Sequence, residues 1–282
     1  MNVIEKPIVV FGDESHSNEI VTFAYVIVPA VKMATLDLAL KEVKNRYGLP
    51  EDARIHCRNM FNADARAKTV FATFSTEQVL RFLFDLMSVS FDSGVRGWVG
   101  YLNTQNAPDA IRMGAWEGPD SDKLNGSLRD TWDVSSLKNR MMLSYYAATV
   151  LLSSAVPHSK VSAFIDGDKT KIPHMDMRRR KVDGLRSFFG LDTNDSRFEP
   201  ETVHGIKPLQ LDLADLLAYA AARALSKVVL KSKSEFSSIV NVIRPAYCEV
   251  VFSGNDPNGH AMRFQAYDHA VDEIKSYINQ FV

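Results

Sequence analysis

The sequence predicts an α/β protein in which helices flank a central sheet. Apolar, β-prone runs recur along the chain, at residues 7–13, 20–29 and 161–166, and such runs are typical of buried strands. Segments rich in Leu, Ala and Met alternate with these runs and favour helices. The chain has 282 residues, 46% of them hydrophobic, which is enough to bury one large core. We therefore expect a single domain over residues 1–282.

Local patterns predict the elements of the N-terminal part. The first two strands flank a polar turn, Ser15 to Asn18, and this arrangement favours a β-hairpin. The elements expected after the hairpin are a helix at 31–46, a short strand at 54–59, helical segments across 64–92 and a strand at 95–103.

The middle of the chain predicts a long loop, and the rest predicts further helices. Residues 104–136 contain Asn, Asp, Gly, Pro and Ser in an order that breaks both periodicities. They predict an insertion, which is either a lid over a site or a tolerated surface excursion. Helices are expected at 137–155, 173–189 and 209–220. A last helix should dock on the core, or form a homodimer contact, through an apolar stripe of Tyr267, Val271, Ile274, Ile278 and Phe281.

Composition narrows the classes of partner and compartment. A formal net charge of -1 and a pI near 6.7 provide no overall attraction to a polyanion, so any nucleic-acid binding needs a local basic patch. The two cysteines, Cys57 and Cys248, are far apart in sequence and fit a reducing compartment. No apolar stretch approaches the roughly 18 residues of a membrane helix. We expect a cytoplasmic protein without a membrane partner.

Three aspartates are the clearest functional signal. Asp13 and Asp166 each follow an apolar strand, and Asp215 lies in an apolar helix. A carboxylate in apolar surroundings is costly to desolvate unless a cation, a hydrogen-bond donor or a proton offsets the cost. Gathered carboxylate oxygens suit Mg²⁺ or Mn²⁺, so these three acids are predicted metal ligands. Each acid also has a structural interpretation, as a turn former or as a member of an ion pair.

Further acids and two histidines extend the predicted catalytic set. Glu14, Asp168 and Asp212 are expected as additional ligands or as partners of the ligands. His56 and His204 are candidates for proton transfer, because an unperturbed imidazole titrates at about pH 6.5. A single histidine is more often structural, so the acids carry more of the prediction.

Basic residues are the candidates for substrate binding. The strongest basic run begins with Arg178 and Arg179, follows Asp166 in the sequence, and predicts phosphate contacts. A solvated helix face is the alternative interpretation of such a run. Further candidates for phosphate contacts are Arg54, Arg58, Lys169, Lys171 and Lys207.

At these residues the chain resembles a family of uncharacterised bacterial and phage proteins, number thirty-eight hundred among the domains of unknown function. The resemblance rests on Asp13-Glu14-Ser15, the strand Ile20 to Pro29, Asp166, and the helix segment Leu211 to Tyr219. It implies a ribonuclease H-like fold with a mixed central sheet, and metal-dependent cleavage of phosphodiester bonds in DNA or RNA. The segment Ile55 to Met60 is similar to the third-strand motif of that family, in which glutamate often follows a basic residue.

The chain departs from the family pattern at Asn59, which has no carboxylate. Glu14 or Asp168 is then the substitute for a fourth metal-binding acid. We expect a metal-dependent nuclease, with a catalytically silent module of the same fold, binding nucleic acid or protein, as the alternative that Asn59 favours. A third interpretation starts from Asp166 to Thr170, which resembles the nucleophile loop of haloacid dehalogenase-type phosphatases. That loop normally opens its domain, whereas here it lies past the midpoint.

Overall fold

A seven-stranded mixed sheet forms the centre of the computed structural model, which describes residues 7–112, 131–156, 160–166, 201–226, 233–253, 261–266 and 268–282. The strand order is β7-β6-β1-β2-β3-β8-β9. These strands are β1 (Ile8–Ser17), β2 (Ile20–Pro29), β3 (Arg96–Asn103), β6 (Val161–Asp166), β7 (Glu201–Val203), β8 (Ala246–Ser253) and β9 (Ala261–Ala266). Two short strands, β4 (Ala110–Arg112) and β5 (Thr131–Asp133), form a separate ladder. β1, β2 and β3 form an antiparallel meander, and β6 pairs parallel with β1.

Helices pack on both faces of this sheet. The helices of the described residues are α1 (Met33–Arg46), α2 (Cys57–Phe61), α3 (Ala63–Arg66), α4 (Thr76–Asp92), α5 (Leu137–Ala155), α6 (Leu209–Leu225), α7 (Lys233–Val242) and α8 (Asp268–Ile278). One face carries α6, which lies on β1 and β2 and is surrounded by α1, α4 and α7. The other face carries α5, with α8 beside it. The predicted α/β class, a mixed sheet flanked by helices, is confirmed.

Strand β1 divides its side chains between the two faces. Val9 and Phe11 join the core under α6, while Ile8 and Val10 join the core under α5. Because side chains alternate along a strand, Asp13 belongs to the α6 face. The same alternation assigns Glu14 to the opposite face.

A glycine permits the close contact between α5 and the sheet. A Cβ atom added to Gly100 would lie 2.1 Å from the Ser144 carbonyl oxygen and 2.3 Å from the Ala148 nitrogen. Both atoms are backbone, so neither moves out of the way without shifting the helix. This position of β3 therefore requires glycine for packing.

The C-terminal helix α8 docks on the core, as its apolar stripe predicts. Val271, Ile274 and Ile278 are buried in the cluster under α5. The guanidinium of Arg96 lies between two rings, 4.4 Å from the centroid of Phe91 and 4.3 Å from that of Tyr277, and so attaches α8 to the sheet. The stripe residue Tyr267 lies outside the described residues.

Other predicted elements are confirmed, corrected or not covered. The strand at 20–29, the helix at 137–155 and the strand near 95–103 are confirmed. The first strand does not end at Asp13, because β1 continues pairing with β2 as far as Ser17. The predicted strand at 54–59 is wrong, since residues from Cys57 onward form α2. The helix predicted at 173–189 and residues 113–130 of the predicted insertion lie outside the described residues.

Candidate carboxylate site

Asp13 and Asp166 lie next to each other on neighbouring strands. In the parallel ladder of β1 and β6, Gly12 pairs with Ile165, so the two aspartates are the next residues in register. Adjacent strands are about 4.8 Å apart. Phe11 and Phe164, two residues earlier on the same face, stack with their centroids 5.6 Å apart. Both aspartates are buried, at 8% and 4% exposure.

Asp215 approaches the same face of the sheet from α6. The Thr22 hydroxyl of β2 donates a hydrogen bond of 2.9 Å to the carbonyl oxygen of Ala218, less than one helical turn after Asp215. This bond holds α6 on the sheet at the level of the aspartates. Asp215 is itself 9% exposed. The structure therefore brings the three aspartates together on the α6 face.

The negative charges of this cluster act on one another. Burial raises the pKa of Asp13 well above its usual value, and the charges of Asp215, Glu14 and Asp166 raise that pKa further. The backbone N–H of Glu14 donates to Asp13 Oδ1 at 2.8 Å and lowers the pKa, but burial and repulsion outweigh it. A buried acid with a raised pKa binds either a proton or a metal cation. We call Asp13, Asp166 and Asp215 the carboxylate cluster.

One lysine and one histidine contact the cluster directly. Lys207 Nζ lies 2.5 Å from Asp166 Oδ1, and both side chains are largely buried. His56 Nδ1 lies 3.3 Å from Asp215 Oδ1, with a third of the histidine side chain exposed. The sequence predicted a phosphate contact for Lys207, whereas the structure shows its amine on a carboxylate.

Asp215 also fixes the segment that precedes α2. Its Oδ2 accepts a hydrogen bond of 2.7 Å from the backbone N–H of Cys57. Burial raises the pKa of the Cys57 thiol well above its usual value, and the charge of Asp215 raises it further, so this thiol stays protonated. A protonated, fully buried thiol is a poor nucleophile.

Asp212 serves the same segment as a structural anchor. Arg54 donates to Asp212 Oδ1 from Nε at 2.8 Å and from a terminal nitrogen at 2.5 Å, and the Ile55 backbone N–H donates to Oδ2 at 3.1 Å. Lys44 Nζ lies 3.9 Å from Oδ2. Burial raises the pKa of Asp212 to about 6, although Arg54 and Lys44 lower it. The sequence predicted Asp212 as an additional ligand or as a partner of the ligands, and in the structure both of its oxygens bind the segment 54–55.

The remaining predicted site residues lie around the cluster or fall outside the described residues. Glu14 follows Asp13 but belongs to the other face of the sheet, and His204 is exposed in the loop after β7. Arg58 is exposed on α2, where the half-buried Asn59 follows it. An open cleft of about 430 Å³, lined in part by Arg54 and Lys207, lies beside the loop that leads into α6. Asp168, Lys169, Lys171, Arg178 and Arg179 lie outside the described residues.

Sequence reasoning missed two residues on α6 that belong to this region. Asp215, Tyr219 and Arg223 are spaced four residues apart and so form one stripe along the helix. Phe61 of α2 stacks on Tyr219, with centroids 5.5 Å apart and planes 10° apart. Polar residues at every fourth position of an otherwise apolar helix are the sequence pattern that indicates such a stripe.

The carboxylate oxygens are the donors that Mg²⁺ and Mn²⁺ prefer. Within the described residues, however, no three His, Cys, Asp or Glu side chains are already arranged to hold a metal ion. Every helix of the described residues is too short or too polar to cross a bilayer. Comparison of the chain with family models, with curated proteins and with solved structures gave no match.

Proposed function

We propose that the protein is a metal-dependent phosphodiesterase that cleaves nucleic acid at the carboxylate cluster. The observation that carries this proposal is the position of three buried carboxylates on one face of the sheet, where burial raises the pKa of Asp13 and the charges of Asp215 and Asp166 raise it further. Such mutual repulsion is unfavourable for folding, and it is typical of sites that bind a cation or transfer a proton. A divalent cation offsets the repulsion and attracts a phosphate.

The donor set fits magnesium or manganese. Mg²⁺ is usually bound by one or two carboxylates together with waters and substrate phosphates, so it does not need a complete protein cage. Asp13 and Asp166 supply two carboxylates in adjacent register positions, and Asp215 supplies a third from α6. The bound metal would neutralise the phosphate and lower the pKa of a coordinated water.

The neighbouring side chains then orient the ligands and move a proton. Lys207 pairs with Asp166 through its ammonium group, reduces the negative charge at that position, and would compete with a bound cation for this carboxylate. His56 directs Nδ1 at Asp215, which leaves Nε2 as the atom that exchanges a proton with solvent or with a leaving group. Arg58 follows Cys57 and is exposed to solvent, which supports its predicted phosphate contact.

The fold is compatible with the implied family. A mixed sheet flanked by helices, with acids contributed by two strands and a late helix, supports a ribonuclease H-like fold and membership of family number thirty-eight hundred. A fold of this kind hosts many functions, so the proposal depends on the site itself.

A cleavage assay tests the proposal. Purified protein is incubated with single-stranded and duplex DNA, RNA and an RNA–DNA hybrid, in Mg²⁺, Mn²⁺ or chelator. We expect cutting of at least one substrate with metal only, and loss of that cutting in Asp13→Asn and Asp166→Asn. Asp92→Asn, an exposed acid at the end of α4, is the matched control and should cut normally. Wild-type cutting rates in both cluster variants would refute the assignment.

One observation favours a second candidate, a silent nucleic-acid-binding module. Lys207 already provides Asp166 with a cation, and both oxygens of Asp215 accept hydrogen bonds. If the wild-type protein binds an oligonucleotide but leaves it intact in every metal, the module is the better description.

A further inference from the structure

The stripe on α6 continues beyond the carboxylate cluster to a second group of charges. Asp215, Tyr219 and Arg223 follow one another along this stripe, and α2 packs across its first part. The Cys57 N–H bond to Asp215 and the stacking of Phe61 on Tyr219 fix α2 in this position. Whatever binds at Asp215 therefore lies close to the side chains of α2 and of the next turns of α6.

Arg223 is held in a defined position on this stripe. Its guanidinium carbon lies 3.2 Å from the centroid of the Tyr219 ring, and one terminal nitrogen donates to the Tyr219 carbonyl oxygen at 3.1 Å. Burial lowers the pKa of Arg223, whereas Tyr219, Cys57 and the charge of Asp215 raise it and Arg58 lowers it slightly. Arg58 lies three residues before Phe61 on α2, and Phe61 stacks on Tyr219, over whose ring Arg223 lies, so both arginines belong to the region around this aromatic pair.

Arg58 is the exposed member of this pair. It follows Cys57 directly, so the hydrogen bond that fixes the Cys57 N–H also fixes the backbone beside it. Within the part of the chain that the structure describes, its side chain has no hydrogen bond and no ion pair. Two guanidinium groups beside one aromatic pair, one half-buried and one open to solvent, present N–H donors that match the oxygens of a phosphate.

We propose that Arg58 and Arg223 form a subsite for a phosphodiester group of a nucleic-acid strand, next to the carboxylate cluster. The inference rests on the proposed function, because the cluster then acts on one phosphodiester while the arginine pair holds a neighbouring one. It follows that the substrate is a strand with several phosphodiesters rather than a mononucleotide. Guanidinium forks match phosphate oxygens in either DNA or RNA, so the pair does not select the sugar.

Binding in chelator tests the subsite without requiring catalysis. The anisotropy of labelled single-stranded DNA and RNA of one sequence is titrated with full-length protein over a series of salt concentrations. Each phosphate contact that is lost should reduce the slope of log K against log salt by about 0.7 for a single strand. We expect this reduction, with a several-fold loss of affinity, in Arg58→Gln, and a wild-type slope with weaker binding in Arg58→Lys.

Two further variants make the test specific. Arg81→Gln removes an exposed arginine of α4 that pairs with Glu77, and it should leave both slope and affinity unchanged. Arg223→Gln should reduce the slope as Arg58→Gln does, and its thermal melting curve shows whether it folds. Because Arg58 is exposed, the result for Arg58→Gln decides the question even if Arg223→Gln fails to fold.

The outcomes separate this inference from the proposed function. An unchanged slope in Arg58→Gln, in a protein that still cuts with metal, overturns the subsite alone. A reduced slope in a protein that cuts nothing supports the subsite and overturns the hydrolysis. If a mononucleotide competes as well as the oligonucleotide, or if no oligonucleotide binds, the subsite for a strand is wrong.

Discussion

Asp215 has a structural and a chemical role, and two substitutions separate them. Asp215→Ala removes the acceptor of the buried Cys57 N–H, which now donates at 2.7 Å. A buried amide left without a partner costs about 1–3 kcal/mol. In a chain of this size each kcal/mol changes Tm by roughly 2–4 °C, so we expect Asp215→Ala to melt about 2–12 °C below the wild type.

Asp215→Asn keeps an oxygen for the Cys57 N–H but has no charge. We expect its free energy of unfolding in chelator to lie within about 1 kcal/mol of the wild-type value. The assay is thermal unfolding in chelator and again with excess Mg²⁺ or Mn²⁺. A cation at one hundred times its Kd stabilises the wild type by about 2.7 kcal/mol, and both variants should lose most of this gain together with cutting.

The comparison has a clear refuting result. If Asp215→Asn gains as much stability from the metal as the wild type and still cuts nucleic acid, Asp215 is not a ligand. If Asp215→Ala melts at the wild-type temperature, the hydrogen bond to Cys57 does not support α2. Asp92→Asn again serves as the control for removing one acid.

Three further predictions concern the dependence of stability on pH, the ion pair of Lys207, and the packing of Gly100. In chelator, the stability contributed by Asp13 and Asp212 is present below their unfolded pKa of about 3.9 and is lost as pH rises through their raised folded values, about 6 for Asp212. The Tm of Asp13→Asn should therefore decline less steeply with rising pH than the Tm of the wild type. Parallel curves of Tm against pH for the two proteins would contradict this. Lys207→Met should lower the free energy of unfolding in chelator by about 3–5 kcal/mol, because it leaves the buried Asp166 carboxylate without its partner. Mg²⁺ should raise the Tm of this variant more than that of the wild type, because lysine and metal compete for Asp166. Equal increases in Tm would exclude such competition. Gly100→Ala should cost about 1–3 kcal/mol in denaturant unfolding because its Cβ meets the α5 backbone, and an unchanged midpoint would show that α5 moves freely.

The sequence predicted the elements that local pattern determines. The apolar runs at 20–29 and 95–103 are strands as expected, and the long segment at 137–155, rich in Leu, Ala and Met, is a helix as expected, because composition and burial agree there. Placing Asp13 and Asp166 after apolar strands also led to the carboxylate cluster, although β1 extends past Asp13. That extension depends on pairing with β2, which the polar residues after Asp13 do not reveal by themselves.

The errors arise where tertiary contacts decide the local structure. The segment 54–59 resembles a strand, but its backbone N–H groups at Ile55 and Cys57 donate to Asp212 and Asp215 instead of to a neighbouring strand. Asp212 was expected as an additional ligand or as a partner of the ligands, and sequence spacing could not show that Arg54 and Ile55 bind its oxygens. The ion pair between Lys207 and Asp166 could not be predicted from the sequence for the same reason.

The burial of α6 from Gln210 to Ala222 has a consequence for how the protein opens. Every residue from Gln210 to Ala222 is buried, so solvent reaches this helix only when its neighbours on the sheet and in α1, α4 and α7 separate. Its amide hydrogens should therefore be among the last in the chain to exchange with deuterium, at a rate set by global unfolding. Asp215, which lies beyond the first turn of this helix, should therefore keep its position when the ends of the helix fray.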